Sequence, residues 1–356
     1  MSQAGCDGGL AHCDVPAYRT VTVTEVLSAR PGLTRVRVRG AERDADERAY
    51  ALTEVVGPVA TGDEVVVNTT AVDLGLGTGG WHVVHWNLTR RAWSAPGGGH
   101  VLKLRYSSLQ TDVGVAEEHD PDGPTELPAT PVVGCSLHSQ VGVVAAVVAT
   151  LRPGTRVAYV MTDGGALPLA LSDMVADLVA AGLVVGSVTT GQAFGGDVEA
   201  VSLASGLTLA AHALGAELVV AGMGLGGVGT GSRLGFSGLD QATVLDAAAW
   251  LGGRPVAAVR ASSGDPRPRH QGVSHHLRTV LDATRSGVDV AVPRGLDLGP
   301  VPDRHRVVVV DPPDVAAALT STGVAVTTMG RGPDTDPLFF AAAGAAAAHA
   351  VTLLGG

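Results

Sequence analysis

Between residues 18 and 110, apolar and polar positions alternate in short runs. Residues 18–27 set Val21 and Val23 against Thr22 and Thr24, and residues 34–39 place Val36 and Val38 between arginines. A period of two is the pattern of a half-buried strand. Arg30-Pro-Gly-Leu33 reads as the turn between these two runs, and Thr61-Gly-Asp63 separates the runs 47–56 and 64–70. Residues 81–87 and 101–106, parted by Pro96-Gly-Gly-Gly99, continue the series. Strands at a spacing of about ten residues predict a small β-barrel or sandwich domain over 18–116. Trp81, Trp86 and Trp93 fall here beside His82, His85 and His100, a cluster that reads first as the core of this domain and second as a ligand face.

From residue 131 the pattern changes to near-continuous apolar runs separated by helical stripes. Strands are predicted at 132–135, 156–161, 184–189, 218–221, 256–259, 307–310 and 324–328. Helices are predicted at 141–151, 171–181, near 198–214, at 241–251, around Leu277–Leu281 and at 336–354. In the second of these, Leu171, Met174, Val175, Leu178 and Val179 share one face and Gly182 suits the C-terminal cap. Such alternation predicts a mainly parallel, doubly wound, Rossmann-like α/β domain over 132–356. The acidic, proline-rich stretch 117–131 between the two reads as a linker, or else as a structured crossover. Residues 1–17 read as a flexible extension.

Composition narrows the partners. The net charge of −10 opposes a nucleic-acid partner, which calls for a basic stripe. Lys103 is the only lysine, and the arginine, alanine, valine and glycine excess has the look of GC-rich coding. Cys6, Cys13 and Cys135 are too few for a disulfide framework. The first fifteen residues lack a signal-peptide pattern, and the apolar run 339–354 is shorter than a membrane span and interrupted by His349. The expectation is a cytoplasmic protein with no membrane partner, and a homo-oligomer remains open.

In a parallel sheet, ligands bind beyond the carboxyl ends of the strands. Five predicted exits carry the candidate chemistry: 135–139, 162–165, 190–197, 222–240 and 261–276. The fourth, GMGLGGVGTGSRLGFSGLD, contains a formal GxGxxG at Gly224, Gly226 and Gly229. Irregular chain runs on to Gly238, and the acidic residue about twenty positions on is Asp246, inside a helical pattern; both argue against NAD or FAD. A backbone anion nest is the stronger ligand reading, with Thr230 and Arg233 near the ligand, set against glycines that merely permit close packing. Ser237 and Asp240 form an S-x-x-D capping box, which makes Asp240 a helix cap. In the fifth exit Ser274 caps a helix that carries His275 and His276 in its first turn, where the dipole favours neutral imidazole. Arg267 and Arg269 flank His270 as a carboxylate or phosphate clamp. Asp163 is a candidate general base, metal ligand or Asx-turn former, and His138 a base beside Ser136, Ser139 or Cys135. A divalent metal is a candidate cofactor, with His138, Asp163, His275 and His276 as ligands; His275 and His276 point about 100° apart and need help from His138 or Asp163 to hold one ion. Asp197 and Glu199 head a predicted helix, with Asp197 a ligand-binding candidate.

Several long motifs, among them NTTAVDLGLGTGGWHVV (68–84), VMTDGGALPLALS (160–172), GQAFGGDVEAVSLASG (191–206), GMGLGGVGTGSRLGFSG (222–238), RH-x-G-V-SHH (269–276) and TTMGRGPDTDPLFFAAAGAA (327–346), resemble those of an uncharacterised bacterial family, domain of unknown function 3866. The resemblance implies no activity or catalytic residue. The residues themselves point to an enzyme acting on a small anionic metabolite, phosphorylated ones included, at the carboxyl edge of the sheet. The competing reading is a non-catalytic ligand sensor or adaptor.

Overall fold

The structure, a computed structural model, describes residues 16–41, 45–77 and 79–355. Cys6, Cys13 and nearly all of the predicted N-terminal extension lie outside the described residues. The chain divides into two compact units, Met1–Pro96 and Gly97–Gly356.

The first unit is a closed barrel of β1 (Tyr18–Arg30), β2 (Leu33–Arg39), β3 (Glu47–Leu52), β4 (Glu64–Asn68) and β5 (Trp81–Asn87) in the order β1-β2-β3-β5-β4. Two one-turn helices, α1 (Thr53–Val56) and α2 (Thr70–Asp73), connect strands. Alternation sends Val21, Val23, Val36, Val38, Val65, Val67 and Val84 inward, where all are buried. Register shifts at Val23/Glu25 and Val26/Ser28 bend the long β1 so that it pairs with both β2 and β4. The tryptophans are not the core of this unit. Trp81 lies half-buried with the Arg48 guanidinium 4.8 Å from its ring centroid, and Trp93 is 37% exposed. The valines of alternate positions already fill a barrel of this size, which leaves the indoles outside.

The second unit begins with a two-stranded ribbon, β6 (Leu102–Lys103) and β7 (Thr111–Asp112). Lys103 runs from it into the interior and is buried. Its ammonium donates to Thr189 O at 3.0 Å, Ala193 O at 2.5 Å and Glu199 Oε2 at 2.6 Å, which uses all three hydrogens.

The main sheet has eight strands, all parallel: β8 (Pro131–Cys135), β9 (Val157–Thr162), β10 (Gly186–Thr189), β11 (Val198–Glu199), β12 (Leu218–Met223), β13 (Arg254–Ala258), β16 (Asp289–Pro293) and β17 (Arg306–Val310). Their order is β11-β10-β9-β12-β8-β13-β16-β17, and a small hairpin, β14 (Ala261–Ser262) with β15 (Gly272–Val273), follows β13. Neighbouring valines face opposite ways: Val133 packs with α3 (His138–Leu151), α8 (Val315–Thr322) and α9 (Pro337–Thr352), while Val132 packs with α5 (Leu203–His212) and α6 (Asp240–Trp250). Helices α4 (Asp173–Ala180) and α7 (His275–Ala283) complete the layers. Among the described residues no helix is long and apolar enough to cross a membrane.

Several elements differ from the sequence reading, among them the unpredicted helix α8 and hairpin β14–β15. Residues 324–328 form no strand of the main sheet; Val324 and Val326 are buried in the helical layer instead, where an added Cβ at Gly142 would meet Val326. Residues 198–199 are the edge strand β11, and Ser202 caps the following helix by accepting from Ser205 N. Also unforeseen is β16, five residues ending in proline. The 117–131 stretch takes the crossover form: Glu117 accepts from Val201 N, Glu126 O is 2.9 Å from His212 Nε2, and Leu127 N donates to Leu251 O.

Candidate functional site

The strand order reverses around β12, β8 and β13, and there the carboxyl ends open onto a cavity of about 150 Å³. Leu137, just beyond β8, and Met223, the last residue of β12, are among its lining residues. The glycine loop supplies one wall, and Arg260, Arg267, Arg269, His270, His276 and Met329 supply the other.

The glycine loop is a folded flap. Gly229 bridges Phe236, Thr230 N donates to Gly235 O at 2.8 Å, and Val228 N donates to Ser237 Oγ at 2.9 Å. The amides of Val228 and Thr230 are therefore committed within the loop. Gly229 lies against the site: a Cβ built on it would sit in ordinary contact with His276 Cε1, at 3.6 Å. At the root of the flap, a Cβ on Gly165 would meet Leu225 O at 2.7 Å and Gly224 O at 2.8 Å, because Ala166 N donates to Leu225 O. Gly165→Ala is expected to destabilise the protein by about 1–3 kcal/mol, read as a lower urea midpoint.

Three histidines meet beside this flap. Ser274 caps α7, accepting from His276 N at 3.2 Å, and its Oγ lies 2.8 Å from His270 Nδ1. That anchor sets the imidazoles of His270, His275 and His276 with centroids 4.2 to 5.1 Å apart. Phe236 stacks flat on His276 at 3.7 Å. Arg260 Nη1 contacts His276 Nδ1 at 2.7 Å. A guanidinium only donates, so Nδ1 accepts and the neutral ring carries its proton on Nε2. That Nε2 is buried and has no hydrogen-bond partner among the described residues.

Burial holds these rings neutral, and the neighbouring arginines add to it. His276 is pushed down to about 3, by burial first and then by Arg260. His270 is pushed down to about 4 by burial, Arg260 and Arg267, and His275 is lowered by burial and Arg269. Burial also lowers Arg260, to about 10, which leaves it cationic at neutral pH. With folded values below the ordinary 6.5, the unfolded chain takes up protons first as pH falls. This stabilisation is complete above about pH 6.5 and is lost toward pH 3–4. Tm is expected to drop by several degrees more in the wild type than in His270→Gln/His276→Gln between about pH 7 and pH 4.5. Parallel pH curves for the two proteins would contradict this.

The arginine wall is braced from behind. Arg267 grips the buried Asp265 in a two-point bridge of 2.9 and 2.7 Å. Burial alone would raise Asp265, but the bonds from Arg267 hold it well below the usual carboxylate range. The buried Asp336 accepts from Ser262 Oγ, Ser263 N, Gly264 N and Arg331 Nε, tying the start of α9 to the β14–β15 hairpin. Among the described residues Arg269 has no carboxylate bridge of this kind.

The family model described as Protein of unknown function (DUF3866) matches residues 48–347, from β3 of the barrel into α9 and including every residue of the cavity. The chain belongs to the DUF3866 family. No curated protein matches it.

Of the candidates read from sequence, the DUF3866 fold brings His270, His275, His276, Gly229, Arg267 and Arg269 together. Others lie apart. His138 is buried, with Nε2 2.7 Å from Ser172 Oγ and Nδ1 3.2 Å from the Tyr159 hydroxyl, and burial pushes it down to about 4. Asp163 accepts from Gln192 N at 3.0 Å, a loop-bracing role. Asp197 accepts from Ser187 N and Oγ beside β10, and Glu199 is the partner of Lys103. Arg233 pairs with Asp282 on the surface at 2.8 Å. Thr230 bonds Ser232 and Gly235 within the flap, and Gly224 packs against Ala166 O. Gly226 has a left-handed φ of 80° and open space around it. The capping box does not form: Asp240 accepts from Thr162 Oγ1, and burial raises its carboxyl. Arg260, Phe236 and Met329 were not foreseen. Arg260 directly follows an apolar strand, the position where a site residue is expected.

The histidine ligand atoms lie within 4.8 Å of one another, and neither His138 nor Asp163 belongs to the group. Arg260 counts against a metal here. Ligation through His276 Nε2 would require Nδ1 to carry the proton, in front of a donor, and three guanidinium groups border the cavity.

Proposed function

We propose that this DUF3866 protein is an enzyme acting on a small anionic metabolite held in the cavity, with the imidazoles as its acid–base groups. The observation that carries the reading is His276 Nε2: a donor fixed by Arg260, buried, unpartnered and beside a cavity with an arginine rim. Such a donor calls for an acceptor, and the surrounding cations favour an anionic one. An anion oxygen there also counters the arginines and lifts the imidazole values toward neutrality, where general acid–base work is efficient.

The test is NMR titration of the histidines with and without inorganic phosphate. Saturable phosphate binding that raises the His276 value and is lost in His276→Ala supports the reading. Phosphate binding that leaves His270 and His276 titrating near 3–4 favours the sensor reading instead, since groups so far from neutrality are poor proton shuttles. Absence of phosphate binding, with a stoichiometric metal in the purified protein, would overturn both.

A further inference from the structure

A second cavity, of about 280 Å³, lies in the α/β unit between the 117–125 stretch and helices α5 and α6. Its lining differs in kind from the histidine site. Trp250, 76% exposed at the end of α6, forms one side together with Leu209, Pro121 and Pro124. No lysine, arginine or histidine is among the residues that line it. The anchor group is Glu117. One carboxylate oxygen, Oε1, accepts from Val201 N at 2.9 Å and from Ser205 Oγ, which holds the side chain against the start of α5. The other, Oε2, is buried with no hydrogen-bond partner among the described residues. Lys103 does not fill that role, because its three hydrogens go to Glu199, Thr189 and Ala193.

A buried carboxylate oxygen without a donor, in a mainly apolar recess that Asp120 also borders and with an indole on its lining, selects for an N–H cation. We propose that this cavity binds a small ligand bearing a primary ammonium or amidinium group on a flat apolar body, with Glu117 as the anchor and Trp250 as the stacking surface. A quaternary ammonium is disfavoured because it has no hydrogen to give Oε2. The volume sits just below the roughly 300–1,000 Å³ of drug-sized sites, so the ligand is small. This inference stands independently of the anion site.

The probe is benzamidine, titrated into the full chain and followed by calorimetry and tryptophan fluorescence. Saturable binding with a Kd of about 1 mM or tighter is expected. Glu117→Gln keeps the acceptor for Val201 N but turns an amide donor toward the cavity, and is expected to weaken binding at least about tenfold, or about 1.4 kcal/mol. Trp250→Phe should abolish the fluorescence change, since the other three tryptophans lie in residues 81–93, while heat of binding persists. Benzamide, the neutral analogue, should bind more weakly than benzamidine. No saturable heat in the wild type, or equal affinity in Glu117→Gln, would overturn the proposal. Circular dichroism of Glu117→Gln separates lost binding from lost folding.

Discussion

Lys103→Met is expected to destabilise the protein by about 3–5 kcal/mol, because it strands one member of a buried ion pair. Without the ammonium, Glu199 is left as a buried carboxylate, and the carbonyls of Thr189 and Ala193 lose their donor. Thr189 Oγ1 and Gly195 N still reach Glu199, both at 2.6 Å, but neither is a cation. Burial lowers the Lys103 value and Glu199 opposes that, which is the signature of a pair that survives only while both partners are present. The companion change, Lys103→Met/Glu199→Gln, removes the stranded charge and is expected to recover more than half of the loss. Urea unfolding of the three proteins measures this. A single-variant loss below about 1 kcal/mol would mean that the pair is open to solvent, contrary to its burial.

The second large effect concerns Arg260. Arg260→Met removes the donor that fixes the His276 tautomer, and the ring is then free to carry its proton on either nitrogen. Loss of this charge-assisted bond and of a cation beside the cavity is expected to weaken phosphate binding by about 10- to 100-fold, the equivalent of about 1.5–3 kcal/mol. The same change should raise the His276 value, because Arg260 follows burial among the causes that lower it. Arg233→Gln is the matched control: it removes a positive charge from the glycine flap that faces Arg260, but one engaged with Asp282 at the surface. Calorimetry with phosphate should find it indistinguishable from wild type. Equal losses in both variants would show that the effect is net charge and not geometry.

Which parts of this molecule were legible beforehand follows from how local each signal is. Valine alternation and apolar runs are local, and they gave the barrel and most strands of the parallel sheet. The strand at 289–293 escaped because Asp289-Val-Ala-Val-Pro293 is short, polar at one end and closed by proline. The run at 324–328 has the composition of a strand, but Val324 and Val326 pack under helices with no neighbouring strand to pair with. Ser274 as a cap was readable from its place before His275 and His276, and it holds. The capping role of Asp240 was equally readable and fails, since Thr162, 78 positions away, takes the carboxylate. The same limit governs the site. The grouping of His270 with His275 and His276 comes from neighbours in sequence. The tautomer of His276, the stacking of Phe236 and the separation of His138 depend on contacts that only the folded sheet creates.

The buried position of Lys103 also makes the chain its own unfolding gauge. A protease specific for lysine has one bond to cut in all 356 residues, and in the native state that bond adjoins a side chain locked beneath the sheet edge. Cleavage into two fragments then proceeds only through molecules in which the ribbon has opened. When reclosing outpaces cutting, the rate of appearance of those fragments reports the free energy of that single opening.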